Sequence, residues 1–283
     1  MFKEDTLLGK TYIITGGGSG LGFNMAKALV SVGAKVAICG RRENVLQNAV
    51  QELITLGGTA KYYTLDVRSY EDVGTTFEQI ALDFGGFDGL INNAAGNFLS
   101  ASEEISPNGF KAVVDIVLHG TFNCSQQAGK HWISKKHPGT ILNIVTTYTE
   151  TGCAFVLPSA CAKAGVYALT NTLAYEWATY DIRVNAVAPG PFPTEGAWSR
   201  LVPDNNFEAT YLSKLPTKRY GRLEELTNLV VFLVSDMAPY ITGECVNIDG
   251  GERLGAGMFN YMATQMPREN LKAVFAMMRN TKK

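Results

Sequence analysis

The stretch Thr15-Gly16-Gly17-Gly18-Ser19-Gly20-Leu21-Gly22 stands between two segments of different periodicity. Before it comes Tyr12-Ile13-Ile14, short, apolar and β-branched as a buried parallel strand is. After it, Phe23-Asn24-Met25-Ala26-Lys27-Ala28-Leu29-Val30 has the apolar spacing of a helix. Strand, glycine loop and helix therefore follow one another without a break, and in that order the glycines acquire separate tasks. Gly16 allows a sharp turn, Gly20 omits a Cβ where a pyrophosphate would approach backbone N–H groups at a helix N-terminus, and Gly22 lets the helix lie close to the strand. Without that context the glycines would say little, since such turns also occur where nothing binds.

Moving outward, Lys35-Val36-Ala37-Ile38-Cys39 reads as a second strand, and its end selects the dinucleotide. A carboxylate there would accept hydrogen bonds from adenosine ribose hydroxyls; this chain instead has Gly40-Arg41-Arg42, cations suited to a 2′-phosphate. NADP(H) is the expected cofactor, the alternative being two solvated arginines that open a helix over residues 43–56. A third strand, Lys61 to Leu65, precedes Asp66, whose carboxylate could hold the adenine edge. A helix over 70–84 and a fourth strand, Asp88 to Asn92, lead into the small-residue loop Asn93-Ala94-Ala95-Gly96. Helical patterning covers 107–136, a fifth strand Thr140 to Val145, a helix 158–179 and a sixth strand Ile182 to Val187. Residues 195–220 read as a helical cap, Leu223 to Ser235 as a helix, Cys245 to Ile248 as the last strand, and 255–283 as an amphipathic tail packed on the cap or on a neighbouring subunit. The alternation predicts an α/β fold, a doubly wound parallel sheet of Rossmann type, in one domain spanning 1–283.

Composition narrows the partners. A formal net charge of −1 and 18% charged residues supply no basic stripe for nucleic acid. The apolar runs are too short to span a bilayer, Met1 to Asp5 lacks the pattern of a signal peptide, and Asn280-Thr281-Lys282-Lys283 is not a peroxisomal address. A cytoplasmic location is expected, although a removed organellar peptide would leave no trace. Five scattered cysteines, Cys39, Cys124, Cys153, Cys161 and Cys245, suggest reduced buried thiols rather than disulfides or zinc, and His119, His131 and His137 have no ligand-like spacing, so no metal is expected.

The glycine loop, Asn92-Asn93-Ala94-Ala95-Gly96, Lys163 on a long helix and Pro189-Gly190 occur in the order and spacing of the short-chain dehydrogenase/reductase family, which the chain resembles along essentially its whole length. One departure is informative. The family places a tyrosine four residues before the lysine, where this chain has Ser159, and a helical asparagine of the family's proton relay is Val117 here. A serine hydroxyl is shorter and far less acidic than a phenol, so it cannot protonate a substrate in the same way. Tyr148, just beyond the fifth strand, and Asn97, just beyond the fourth, stand where a parallel sheet delivers functional groups. With Phe98, Pro158 to Gly165 and Gly196 to Leu201, they resemble the 2,4-dienoyl-CoA reductase branch, enzymes that reduce dienoyl thioesters with NADPH in the breakdown of unsaturated fatty acids.

That resemblance implies an oxyanion hole made by Tyr148 and Asn97, with Lys163 on the nicotinamide ribose, making Tyr148 more acidic if close, and Ser159 orienting the Lys163 ammonium. It implies cofactor contacts from Gly16, Gly17, Gly18, Ser19, Gly20, Leu21, Arg41, Asp66, Lys163, Pro189, Gly190, Pro191, Phe192 and Thr194. Acyl-CoA contacts are implied for Arg68, Phe98, Ser106 and Arg200, and a homo-oligomer, a tetramer foremost. Whether Thr146 or Thr147 offers a hydroxyl near the nicotinamide stays open. Two other readings fit the same residues: an NADP(H)-dependent reductase of enoyl or 3-oxoacyl thioesters, and a dinucleotide sensor without catalysis.

Overall fold

The structure, a computed structural model, describes residues 2–194, 205–255, 260 and 266–280, without the side chains of 205–207 and 280. Strands and helices alternate from the start: β1 (Thr11–Thr15), α1 (Gly20–Val30), β2 (Lys35–Gly40), α2 (Glu43–Thr55), β3 (Thr59–Thr64), α3 (Tyr70–Phe84) and β4 (Gly89–Asn92). Then come α4 (Pro107–Val114), α5 (Gly120–Lys135), β5 (Gly139–Ile144), the single turn α6 (Tyr148–Thr151), α7 (Leu157–Trp177) and β6 (Ile182–Pro189). The chain continues with α8 (Asn205–Lys214), α9 (Leu223–Val234), β7 (Cys245–Ile248) and α10 (Arg268–Asn280).

All seven strands are parallel in the order β3-β2-β1-β4-β5-β6-β7. The order reverses between β1 and β4, which opens a crevice at the carboxyl ends of those strands. β1 shows why the sheet is covered on both faces. Tyr12 and Ile14 belong to one core with Met25, Leu29, Leu46, Leu226 and Val230, from α1, α2 and α9. Ile13, pointing the other way, joins Phe77, Ile80, Cys124 and Trp132 from α3 and α5. A smaller cluster, Val113, Val117, Val145, Ala162 and Val166, packs α7 against the end of β5, beneath the site described below.

The structure refines two expectations and corrects a third. Within the helical region expected over 107–136, Asp115–His119 form a π-turn between α4 and α5, with the Thr121 hydroxyl donating to the Val117 carbonyl at 2.6 Å. Tyr148, expected just beyond the fifth strand, opens the turn α6, since β5 ends at Ile144. Not all cysteines are buried: Cys39 and Cys124 are, while Cys153 and Cys161 are exposed and Cys245 is half-buried, all as free thiols. Of the expected cap, 195–204 lie outside the described residues, as do 256–259, 261–265 and 281–283 of the tail. Among the described residues no helix is long and apolar enough to cross a membrane, and no group of three or more metal-ligating side chains forms.

Candidate active site

The crevice at the sheet's switch point has a volume of about 590 Å³. Gly16, Gly18, Ser19, Gly20 and Leu21 line it from the β1–α1 loop, Arg41 and Arg42 from β2, Asp66 from β3, Asn93 to Asn97 from β4, and Thr194 from β6. The glycine loop matches a bound dinucleotide in two ways. Gly16 and Gly20 have φ of +65° and +57°, the left-handed region that side chains avoid. A Cβ at Gly22 would stand 2.3 Å from the Gly16 carbonyl oxygen, so α1 can begin against the loop only without one. At Gly20, by contrast, the neighbourhood is open apart from Thr194, whose hydroxyl lies 3.6 Å from the Cβ position. Backbone is thus left accessible where a phosphate would approach a helix N-terminus.

Side chains that the sequence did not single out hold this loop in place. The Thr15 hydroxyl accepts from the backbone N–H groups of Asn93 and Ala94, both at 3.0 Å. In return the Asn93 amide donates to the Thr15 and Gly16 carbonyls at 3.0 and 3.2 Å. Below them runs a buried chain: Asn92 donates to Ser125 and to Asn143, both at 2.9 Å, and Asn143 donates to Thr170 at 2.8 Å. It ties β4 and β5 to α5 and α7. Only the adjacency of β4 and β5 brings these residues together, and their sequence separation hides it.

Arg41 and Arg42 both stand at the crevice mouth, and Arg42 reaches the Ser19 hydroxyl at 3.5 Å. Asp66 is committed elsewhere: its carboxylate accepts from the Arg68 guanidinium at 2.5 to 3.0 Å and from the Arg68 backbone N–H at 3.1 Å. Hydrogen bonds from Arg68 hold the Asp66 carboxyl below its ordinary range. The two residues, expected on two different ligands, are here partners of each other. Ser106 caps α4 by accepting from the Gly109 N–H at 3.1 Å, and Phe98 lies exposed above Gly109. Arg200 lies outside the described residues.

At the end of β5 a second group assembles. Tyr148 OH and Ser159 Oγ share a hydrogen bond at 3.1 Å. Ser159 and Lys163, one helical turn apart on α7, are both buried on its inner face. The Lys163 ammonium donates to the Ile144 carbonyl. The contact found for Ser159 is therefore to the phenol, not to the ammonium it was expected to orient. Burial pushes Lys163 down to about 8. The expected acidifying effect of Lys163 on Tyr148 is also corrected: burial raises the phenol above its ordinary value, outweighing the lowering effects of the Ser159 hydrogen bond and the nearby Thr146 hydroxyl. Of the two threonines left open, Thr146 is the one beside the phenol. Tyr148 thus keeps its proton throughout the neutral range.

Asn97 stands across the switch point, beyond β4, and lines the crevice. Its Oδ1 accepts from the Phe98 N–H at 2.9 Å, which leaves the amide's donor end for a ligand. On the β6 side Pro189 ends the strand, Gly190 backs onto Asp249 where a Cβ would stand 2.7 Å from its Cα, and Phe192 is buried against Gly221. The arrangement can bind a dinucleotide in the first group and offer neutral donors from the carboxyl ends of β4 and β5.

Comparison with known proteins agrees with this architecture. Residues 16–252 match a family model described as enoyl-(acyl carrier protein) reductase. A probable 2,4-dienoyl-CoA reductase of Bacillus subtilis, named as (2E)-enoyl-CoA-producing, is 45% identical over 246 residues, 87% of this chain and 97% of that one. A probable 2,4-dienoyl-CoA reductase of Caenorhabditis elegans, named as (3E)-enoyl-CoA-producing, is 40% identical over 257 residues, 89% and 83% of the two chains. Among solved structures, a short chain dehydrogenase from Bacillus anthracis is 43% identical with a TM-score of 0.81, covering 88% of this chain and 98% of that one.

Proposed function

This chain belongs to the short-chain dehydrogenase/reductase family, oxidoreductases that use a nicotinamide dinucleotide, and from that membership we propose that it reduces 2,4-dienoyl-CoA to 3-enoyl-CoA with NADPH, in unsaturated fatty acid β-oxidation. The observation that carries the reading is the Tyr148–Ser159 hydrogen bond. Where a family tyrosine would rise from the long helix there is Ser159, and a phenol from another element meets that serine one turn from Lys163.

The glycine loop, Arg41, Lys163 and the loop from Pro189 to Thr194 would hold the dinucleotide, with Asp66 beside it. When bound, the reduced nicotinamide supplies the hydride, taken up at C5 of the diene. The charge that then develops is spread through the diene to the thioester oxygen, so the site must hold a dienolate. Tyr148 and Asn97 donate to that oxygen, and the raised pKa of Tyr148 suits it to this task because a donor that keeps its proton stabilises an oxyanion without quenching it. Protonation from water at C2, where a dienolate carries most charge, leaves the double bond between C3 and C4. Protonation at C4 would instead give the 2-enoyl product in the name of the Bacillus subtilis relative. Arg68, Phe98, Ser106 and Arg200 are assigned to the acyl-CoA, for which Arg68 would have to leave Asp66. The chain is further read as a homo-oligomer, a tetramer foremost: α5 and α7 leave Phe122, Leu157 and Tyr175 exposed, apolar surface that a second copy would cover.

The test is a substrate panel. Purified protein with NADPH should turn over 2,4-hexadienoyl-CoA in preference to 2-hexenoyl-CoA and 3-oxohexanoyl-CoA, with the product double bond at C3. Preference for either of the other thioesters removes the proposal, and a C2 double bond in the product removes the protonation step. A separate variant addresses the cofactor. Arg41→Ala is expected to weaken NADPH about tenfold or more, the worth of a charge-assisted contact to the 2′-phosphate, while leaving NADH within about twofold. Equal losses for both, by titration calorimetry, would remove the phosphate from Arg41.

A further inference from the structure

We propose that Glu252, acting through Tyr211, is a positioning residue that fixes helix α8 to the loops following β6 and β7, and thereby sets the affinity of the site for the acyl thioester. The inference rests on the reductase reading above and on reading 195–220, which includes α8, as a helical cap over the acyl substrate. Tyr211 is on α8, and its hydroxyl donates to the Glu252 carboxylate. Glu252 follows β7 and its Oε2 stands 3.2 Å from the Cβ position of Gly190, the first residue past β6. The carboxylate therefore sits where the two loops meet. It also lies near Cys153, whose thiol is raised first by burial and then by the Glu252 charge, and Cys153 is two residues past the turn that carries Tyr148.

Burial does little to orient this helix. Among the described side chains 208–214 none is buried, and the first buried one is Leu215, just past its end. From there the chain is pinned down: Pro216 and Thr217 pack on Gly251 and Gly250, and the Gly221 N–H donates to the Pro191 carbonyl at 3.0 Å. The stem of α8 is thus anchored to both loops whatever the helix does. The helix itself is tied across to Glu252 by the Tyr211 hydroxyl, with the Tyr211 ring resting 6.3 Å from that of Tyr220 and Lys218 donating to the Ser213 carbonyl. A half-buried carboxylate of this kind is costly without a donor and holds its donor firmly when it has one.

The experiment uses the full-length protein with Tyr211→Phe, Glu252→Ala, Glu252→Gln and the double variant Tyr211→Phe/Glu252→Ala. Readouts are KM and kcat for 2,4-hexadienoyl-CoA, the NADPH dissociation constant, and amide hydrogen exchange across 205–214. Tyr211→Phe and Glu252→Ala should each raise KM about tenfold, the scale of one charge-assisted hydrogen bond, with kcat within about twofold and NADPH affinity unchanged. Exchange across 205–214 should quicken about tenfold, the double variant should be no worse than either single one, and Glu252→Gln, which keeps an acceptor oxygen, should recover most of the loss. A fall in kcat at unchanged KM, additive losses in the double variant, or unchanged exchange would each overturn the inference. Absence of turnover by the unmodified protein would instead sink the reductase reading and the affinity statement with it, and the exchange result alone would then decide whether the pair fixes α8.

Discussion

Replacing Tyr148 by Phe is expected to lower kcat for 2,4-dienoyl-CoA by on the order of a hundredfold, because one oxyanion donor is worth about 3 kcal/mol in the barrier. The ring is retained, so packing beneath it changes little; what disappears is the hydroxyl that meets Ser159 at 3.1 Å. NADPH affinity should stay within about twofold, since the phenol is not assigned to the cofactor. Ser159→Ala gives the useful contrast. It removes a partner that orients the phenol but not the phenol itself, so its loss should be several-fold only, about the worth of one neutral hydrogen bond. Steady-state kinetics with both variants, alongside cofactor titration, decides the matter. Unchanged turnover in Tyr148→Phe would show that the phenol is not the donor, and a Ser159→Ala defect as deep as that of Tyr148→Phe would mean that the serine itself carries the chemistry.

The second large effect concerns Lys163, where binding and stability should move in opposite directions. Its ammonium is buried, donates to the Ile144 carbonyl, and is pushed from 10.5 down to about 8 by desolvation. A lysine whose folded value lies below its unfolded one weakens the fold while protonated. That penalty is fully present below about pH 8 and is relieved as pH rises towards 10.5, where the unfolded chain also loses its proton. Lys163→Met keeps the volume and removes the charge. Without cofactor, the variant should melt a few degrees higher at pH 7, with the advantage shrinking as pH is raised through that window. Its NADPH affinity should fall by at least about tenfold, since the ribose hydroxyls lose their cation. Thermal melts at several pH values together with cofactor titration test both halves. A variant that melts lower than the parent at pH 7 would show that the ammonium's bond to Ile144 outweighs its desolvation.

Much of this was legible from residue order. Short apolar runs and 3.6-residue patterning located the strands and the main helices, most of their ends to within two residues, because each element must bury apolar side chains whatever its neighbours are. The Gly16 to Gly22 loop was readable for the same kind of reason: positive φ and close approach are backbone demands that only glycine meets, so the residue type announces the geometry. The exchange of a phenol for Ser159 was also plain, since it concerns which chemical groups exist at all.

What the order of residues could not supply is the choice among partners. Asp66 and Arg68 each suit a ligand, and only their placement at the β3 end pairs them with each other. Ser159 is one turn from Lys163, which suggested one contact, yet the turn α6 brings Tyr148 to it instead. The sign of the Tyr148 shift was set by burial, a property of everything packed around the ring. Likewise, the Asn92–Asn143–Thr170 chain and the Tyr211–Glu252 bond join residues that lie far apart in order. Sequence by itself determined which groups this protein possesses and the local backbone that glycine and apolar periodicity enforce. The tertiary structure alone decided which of those groups meet and how far water is excluded from them, because hydrogen bonding and desolvation depend on distances through space that chain spacing does not encode.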